Sequence, residues 1–234
     1  MHLDPTTLPA LTVNLEHGDT DDETCRVLPL DWFEILTAPN VRYPGYGEFE
    51  VNVSMLVVPA DIDADWFESP SSRWMRKKIH RAHRLGYEFG PFEFNDYIDD
   101  MYDINTSKWD RQGRPMSEEY RVRPPERAPL PDHPCPRHSE GWFGVFQDGK
   151  LCAYLFVQQS GEATFTPNIL GHADHLENGV MALALFEAVK WQRERANTSY
   201  VYYYLHDSET SGLQFFKEKM GYAGHLVTWE LSRR

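Results

Sequence analysis

Cysteine is scarce in this chain: Cys25, Cys135 and Cys152 are the only three in 234 residues, and they are widely spaced. An odd, scattered set excludes a disulfide framework and a four-cysteine zinc site, so the three read as reduced thiols of a cytoplasmic protein. Long hydrophobic runs are also missing. No stretch approaches the roughly 18 apolar residues of a membrane span, and residues 1–20 lack the basic and apolar regions of a secretory leader. The expectation is a soluble protein with no membrane partner. Positive charge is in short supply as well, with 23 Lys and Arg against 36 Asp and Glu and a formal net charge of −13. Such a chain repels nucleic acid unless its cations are gathered on one face. There is no Gly-x-Ser-x-Gly elbow and no Walker loop, which argues against a serine hydrolase and a nucleotide-hydrolysing enzyme.

What is present points to a packed fold, with 41% hydrophobic and 14% aromatic residues. Residues 1–45, rich in Asp, Pro and Thr, read as an irregular arm packed on a domain of residues 46–234. "EFEVNVSMLVV" (48–58) has the β-branched character of a strand. "RWMRKKIHRAHR" (73–84) then places six of the 23 cationic residues on one helix, with Met75, Ile79 and Ala82 on its apolar face, Ser71 or Ser72 as N-cap and Gly86 at its C-terminal stop. "YEFG" reads as a short strand and 94–109 as a second helix. Seven prolines between 110 and 140 forbid a long helix or a central strand there, so this stretch reads as a lid or substrate-side loop. Two alternating runs around Asp148-Gly149 announce a hairpin. A further strand, a long helix, a buried-type strand "SYVYYYLHD", a short helix closed by Gly221 and a last strand follow.

Several side chains invite chemistry. Two guanidinium groups, Arg111 and Arg114, flank Gln112-Gly113 beside Asn105 and Thr106, and suit the grip of an anionic substrate; they suit pairing with the nearby acids equally well. His206, just before Asp207 and Glu209, has the proton affinity of a general base, although a histidine at a strand end also serves as a polar cap. The basic helix is either a solvated face or an electrostatic track for RNA or a phosphorylated donor. "HPCPRH" (His133, Cys135, His138) has its ligands separated by prolines, and "HADH" (His172, His175) lacks a third ligand, so no metal is expected.

The order hairpin, strand, long helix, strand, short helix and strand, with "GLQFFKEKMGY" before the last strand, resembles the GNAT acyltransferase superfamily. "FKEKMG", "MRKKIHRAHRLGYEF" and "DDMYDINTSKWDRQGRP" are similar to segments of its FemAB-like and CelD-like branch. The resemblance spans about 48–232. It implies an α/β (α+β) fold with a mixed, mostly antiparallel sheet flanked by helices, and an N-acyltransferase that moves an acyl group to an amine of a small molecule or peptide. It also implies that Lys217 faces the transfer cleft, where an ammonium stabilises an oxyanion or holds a phosphate. Ordinary members bind acyl-CoA (acetyl-CoA) through an Arg/Gln-x-x-Gly-x-Gly/Ala turn. Here "ILGHADHLENGVMALAL" sets Gly171 and Gly179 too far apart for that turn. An aminoacyl-tRNA donor, which the FemAB-like branch uses, needs no such turn, and Arg76, Lys77 and Arg81 of the basic helix are then the donor-binding residues. A non-catalytic binding module on the same fold is the remaining alternative.

Overall fold

Alternating apolar residues on either side of Asp148-Gly149 build the longest ladder, β6 (His138–Gln147) on β7 (Lys150–Ser160). Asp148 and Gly149 have φ of 52° and 79°, the two positive values that a two-residue hairpin of matching twist requires. The structure is a computed structural model that describes residues 3–18, 22–111, 114–130, 135–206 and 211–232, without the side chains of Arg114 and Ser211. The remaining elements are β1 (Ala10–Asn14), α1 (Glu23–Thr37), β2 (Val53–Val57), α2 (Arg73–Arg84), β3 (Glu88–Pro91), α3 (Ile98–Thr106), β4 (Asp110–Arg111), β5 (Arg114–Pro115), β8 (Ala163–Gly171), α4 (Val180–Ala196), β9 (Tyr200–Leu205), α5 (Ser211–Lys219) and β10 (Ala223–Glu230). Eight strands form one sheet in the order β1-β10-β2-β9-β8-β7-β6-β3. Only β1/β10 and β8/β9 are parallel, so the sheet is mixed and mostly antiparallel.

Successive side chains of a strand face opposite sides, and the core divides accordingly. Phe143 and Val145 of β6, with Ala153 and Leu155 of β7, pack under α2 and α4, against Met75, Ile79, Leu183 and Phe186. Their neighbours Trp142, Leu151 and Tyr154 face α3, against Ile98, Met101 and Ile104. A third cluster sits under α1, where Trp32 stacks on Phe165 with ring centroids 4.0 Å apart.

The expected irregular arm holds a strand and a helix. β1 pairs along its full length with β10, so its hydrogen bonds come from residues more than two hundred positions away, which five residues of "ALTVN" do not announce. Pro29 disguises α1, because a proline inside a helix leaves the carbonyl four residues earlier without its donor. Here that carbonyl, on Cys25, accepts instead from the Gly18 N–H at 3.2 Å, and the helix continues. The expected strand at 48–58 shortens to Val53–Val57 because the preceding residues turn, with Glu50 accepting from the Gly47 N–H at 2.7 Å. The basic helix keeps the expected bounds and buries Met75, Ile79 and Ala82; Ser72 is its N-cap, without a side-chain cap bond. It ends in a Schellman motif, with the Gly86 N–H on His83 O and the Tyr87 N–H on Ala82 O, and Gly86 at φ 80°. Residues 94–97 form a single tight turn before α3, and among the described residues no helix is long and apolar enough to cross a membrane.

Gly179 caps the N-terminus of α4 at φ 93°, and a Cβ there would lie 2.4 Å from the Lys78 carbonyl oxygen. α2 and α4 therefore cross backbone on backbone. Gly179→Ala is expected to cost about 2–4 kcal/mol through the combined clash and left-handed strain, read as a lower urea midpoint at unchanged slope. A change within experimental error would mean that α2 moves aside freely.

Candidate functional site at the parting of two parallel strands

β8 and β9 pair only through Ala163↔Tyr200, Thr164↔Val201 and Phe165↔Tyr202. Immediately beyond, each strand bulges. On β8, Thr166 and Pro167 stand opposite a single residue, Val157; on β9, Tyr203 and Tyr204 stand opposite Ser54, with Tyr204 at φ 60°. β8 then follows β7 and β9 follows β2, leaving a crevice at their carboxyl ends, the place where open α/β sheets bind ligands. Two polar atoms in this part of the protein are buried and, among the described residues, have no hydrogen-bond partner: Thr166 Oγ1 and the Tyr222 hydroxyl. Burial, with the neighbouring Tyr203 second, holds the Tyr222 phenol well above its ordinary pKa, so it remains a neutral donor.

Lys217 has no exposed surface. Its Nζ donates to Leu205 O at 2.9 Å, at the end of β9, and lies 4.8 Å from the Tyr203 ring centre. α5 delivers it there because the helix end is held on three sides. Tyr222 N–H bonds Lys217 O at 2.9 Å, Gly221 takes φ 91°, and the buried Trp66 donates Nε1–H to Met220 O at 3.0 Å. His206 is the residue after Leu205; its N–H bonds Asn52 O at 2.8 Å and its Nδ1 is 3.5 Å from Ser54 Oγ. The fold thus brings Lys217 and His206, eleven positions apart in sequence, to one corner of the crevice. Asp207 and Glu209 lie outside the described residues.

Beside this corner the cations gather. Trp74, Lys77, Lys78, Arg81 and Arg84 of α2 line a groove of about 470 Å³. A second groove of about 480 Å³ shares Trp74 and Lys77 and adds Arg73 and, from α5, Lys219. Trp74 stands edge-on to Phe215 and Phe216 of α5, which fixes the indole between the two helices. No carboxylate among the described residues lines either groove. Lys78 and Arg81 are braced by the turn that precedes α4: Lys78 bonds Glu177 O at 3.2 Å and pairs with the Glu177 carboxylate at 3.6 Å, and Arg81 bonds Asn178 Oδ1 at 3.1 Å. Arg76 is directed elsewhere: its guanidinium donates to the carbonyls of Phe67 and Ser69 and ties α2 to the preceding turn. Of the three expected donor-binding residues, Lys77 and Arg81 line the groove and Arg76 does not. Lys219 was invisible to sequence reasoning because it comes from another element.

The other expected group is engaged within the fold. Asn105 is buried and accepts from the Tyr154 hydroxyl at 2.6 Å, and the Thr106 hydroxyl bonds back to Tyr102 O at 2.8 Å. Arg111 donates Nη1–H to Gly171 O at 2.9 Å, and Nη2–H to Ile104 O at 2.8 Å and Ser107 Oγ at 3.1 Å. It joins the end of α3 to the end of β8. Burial is the main cause that lowers its pKa, and its Nε has no partner among the described residues. Arg114 pairs with it in register across β4 and β5, and its side chain lies outside the described residues.

The chain matches no family model and no curated protein. Among solved structures it is similar to FemX, at 9% identity over 74% of this chain and 59% of that one, with a TM-score of 0.55. L-PGS from Bacillus licheniformis aligns at 15% identity over 75% and 59%, with a TM-score of 0.48. A tandem GNAT protein from the clavulanic acid biosynthesis pathway aligns at 9% over 75% and 51%, with a TM-score of 0.44. The chain spans about three fifths of the length of the first two. At these identities the likeness is one of fold alone, in keeping with the mixed, mostly antiparallel sheet that the resemblance of the sequence implies.

Because Arg111 makes three hydrogen bonds to neighbouring groups, Arg111→Ala is expected to lower the unfolding free energy by about 2–4 kcal/mol, with Arg111→Lys recovering only part. Chemical denaturation checks this. An unaltered midpoint would mean that the guanidinium is held for a ligand and not for the fold.

Proposed function

We propose that this chain is a transferase that moves an aminoacyl group from aminoacyl-tRNA to an amine of a small molecule or peptide. The observation that carries the reading is the double groove on α2 and α5, where cations converge around an indole on a protein of net charge −13. A local cationic track with a stacking ring suits a nucleic-acid backbone and an unpaired base. A CoA pyrophosphate is the less favoured occupant. It seats on backbone N–H groups at a helix N-terminus, and at the start of α4 Gly179 already packs against the Lys78 carbonyl of α2, while the glycine spacing of that turn is lacking.

The chemistry needs a neutral amine, a place for negative charge and a route for one proton. The acceptor nitrogen attacks the ester carbonyl of the donor, giving a tetrahedral intermediate with an anionic oxygen. Lys217 supplies the compensating positive charge at the end of β9, and a charge in a water-poor setting acts more strongly than one in solvent. His206 takes the proton that the nitrogen must lose and returns it to the departing ribose oxygen, so the amide forms as the ester breaks. Among the three cysteines, Cys152 is buried and burial is the main cause that raises its pKa, which makes it a poor nucleophile and favours direct transfer.

Filter binding with charged tRNA, in parallel with calorimetry with acetyl-CoA, tests the reading. The expected result is saturable RNA binding that weakens linearly in log affinity against log salt, with Lys77→Gln and Arg81→Gln each reducing the slope by about 1. Lys217→Met is expected to leave binding in place and abolish transfer of labelled amino acid. Saturable acetyl-CoA binding without RNA binding would replace this reading with an acyl-CoA-dependent transferase. Silence from both ligands would leave a non-catalytic binding module.

A further inference from the structure

At the end of the sheet opposite the crevice, three potential metal ligands from two distant parts of the chain converge. Cys25 lies in the first turn of α1, Cys135 precedes β6 and His138 begins it, and the ligand atoms of all three lie within 4.8 Å of one another. Cys25 and His138 are buried, Cys135 is half-buried, and none is in a disulfide.

The histidine is oriented as a ligand. Its Nε2 is 3.3 Å from the carbonyl of Leu15, a group that only accepts, so the ring proton belongs on Nε2 and the Nδ1 lone pair faces Cys135 Sγ at 3.6 Å. A backbone carbonyl that fixes the outer ring nitrogen in this way is the usual support of a metal-bound imidazole. Bond lengths of about 2.3 Å to sulfur and 2.0–2.1 Å to nitrogen in a tetrahedron put the two atoms about 3.6 Å apart, which the observed separation matches.

The surrounding backbone is held independently of any metal. Leu15 O also accepts from the Ser160 hydroxyl at 3.1 Å. Arg137 pairs with Glu16 at 2.5 Å and donates to Ala196 O at 2.8 Å. The Gly18 N–H bonds Cys25 O, and a Cβ on Gly18 would lie 3.1 Å from Cys25 Cβ. Donors on two segments whose backbone is held by such contacts bind a metal without a large ordering cost.

We propose that Cys25, Cys135 and His138 form a Cys2His site for a thiophilic divalent metal, Zn2+ first, which clips the start of α1 to the start of β6. Two thiolates and one imidazole suit Zn2+ above Mg2+ or Ca2+, and three protein ligands leave a fourth position for water or a further donor. The role is structural, because β6, β7, β8 and β9 meet here at the ends away from the crevice. It departs from the metal-free expectation, which weighed His133, Cys135 and His138 and had no means of placing Cys25 beside them; His133 is outside the described residues.

The test uses the full chain, purified under reducing conditions without an affinity tag that binds metal. Mass-spectrometric metal analysis is expected to find one Zn2+ per chain. Co2+ replacement is expected to give thiolate-to-cobalt charge-transfer absorption with tetrahedral ligand-field bands. Cys25→Ser and Cys135→Ser are each expected to lose the stoichiometric metal and the charge-transfer intensity while far-ultraviolet circular dichroism reports the fold, and Cys152→Ser is expected to keep both. Chelation of the unaltered protein is expected to lower its thermal midpoint. The proposal is overturned if the reduced, folded, unaltered chain takes up no more Zn2+ or Co2+ than the double Cys25→Ser, Cys135→Ser variant. It is overturned equally if the protein from cells carries a Cys25–Cys135 disulfide and no metal.

Discussion

The rest of the molecule depends on how briefly β8 and β9 stay together. Parallel neighbours joined by a helix would ordinarily run on as a ladder, and here the ladder stops after three residue pairs. Bulges on both strands take up the change of direction. Once the strands part, α4 and α5 are carried on different halves of one sheet, and the end of β9 becomes a corner against which α5 packs Lys217. A longer ladder would close the crevice. A shorter one would leave the two halves joined by packing alone.

Charge is distributed to match. An acidic protein that concentrates cations in one groove has a local field opposite in sign to its far field, so an approaching anion is steered only at short range, within roughly the 8–10 Å over which salt leaves charges unscreened. Lys78 and Arg81 are braced by the turn that precedes α4, which removes part of the rotamer entropy that two long side chains would lose on meeting a ligand. Arg76, three residues into the same helix, performs the opposite task by satisfying two carbonyls of the turn before it. One helix therefore mixes binding and holding functions, and residue type alone does not separate them.

This is also why the sequence was legible in some places and opaque in others. The basic helix, its buried stripe and its glycine stop were readable because each depends on residues within a few positions of one another, as does the Asp148-Gly149 hairpin. The GNAT-like order of the second half was readable from segment succession. β1 and α1 were not, since one takes its hydrogen bonds from the far end of the chain and the other contains a proline whose orphaned carbonyl is satisfied from outside the helix. The partners of Arg111 were hidden for a related reason. A guanidinium at the mouth of a proline-rich stretch suits a ligand grip, and only three-dimensional placement reveals the carbonyls of Ile104 and Gly171 converging on it.

The start of β8 and the bulge that follows it then differ in kind. At its start, Thr164 lies 2.5 Å from Gln159 Oε1 and 3.0 Å from the Thr198 hydroxyl, and Glu162 O receives the N–H groups of Ser199 and Tyr200. These buried side chains and their backbone neighbours satisfy one another, and satisfied buried networks hold a unique geometry because any slip leaves a desolvated group unpaired. Two residues on, at the bulge, Thr166 Oγ1 is buried with no partner among the described residues, and the strand departs from the ladder. A strand locked at its start and incompletely satisfied at its bulge positions a ligand well: the fixed start sets where the crevice opens, and the unsatisfied bulge supplies polar groups that gain most from being met.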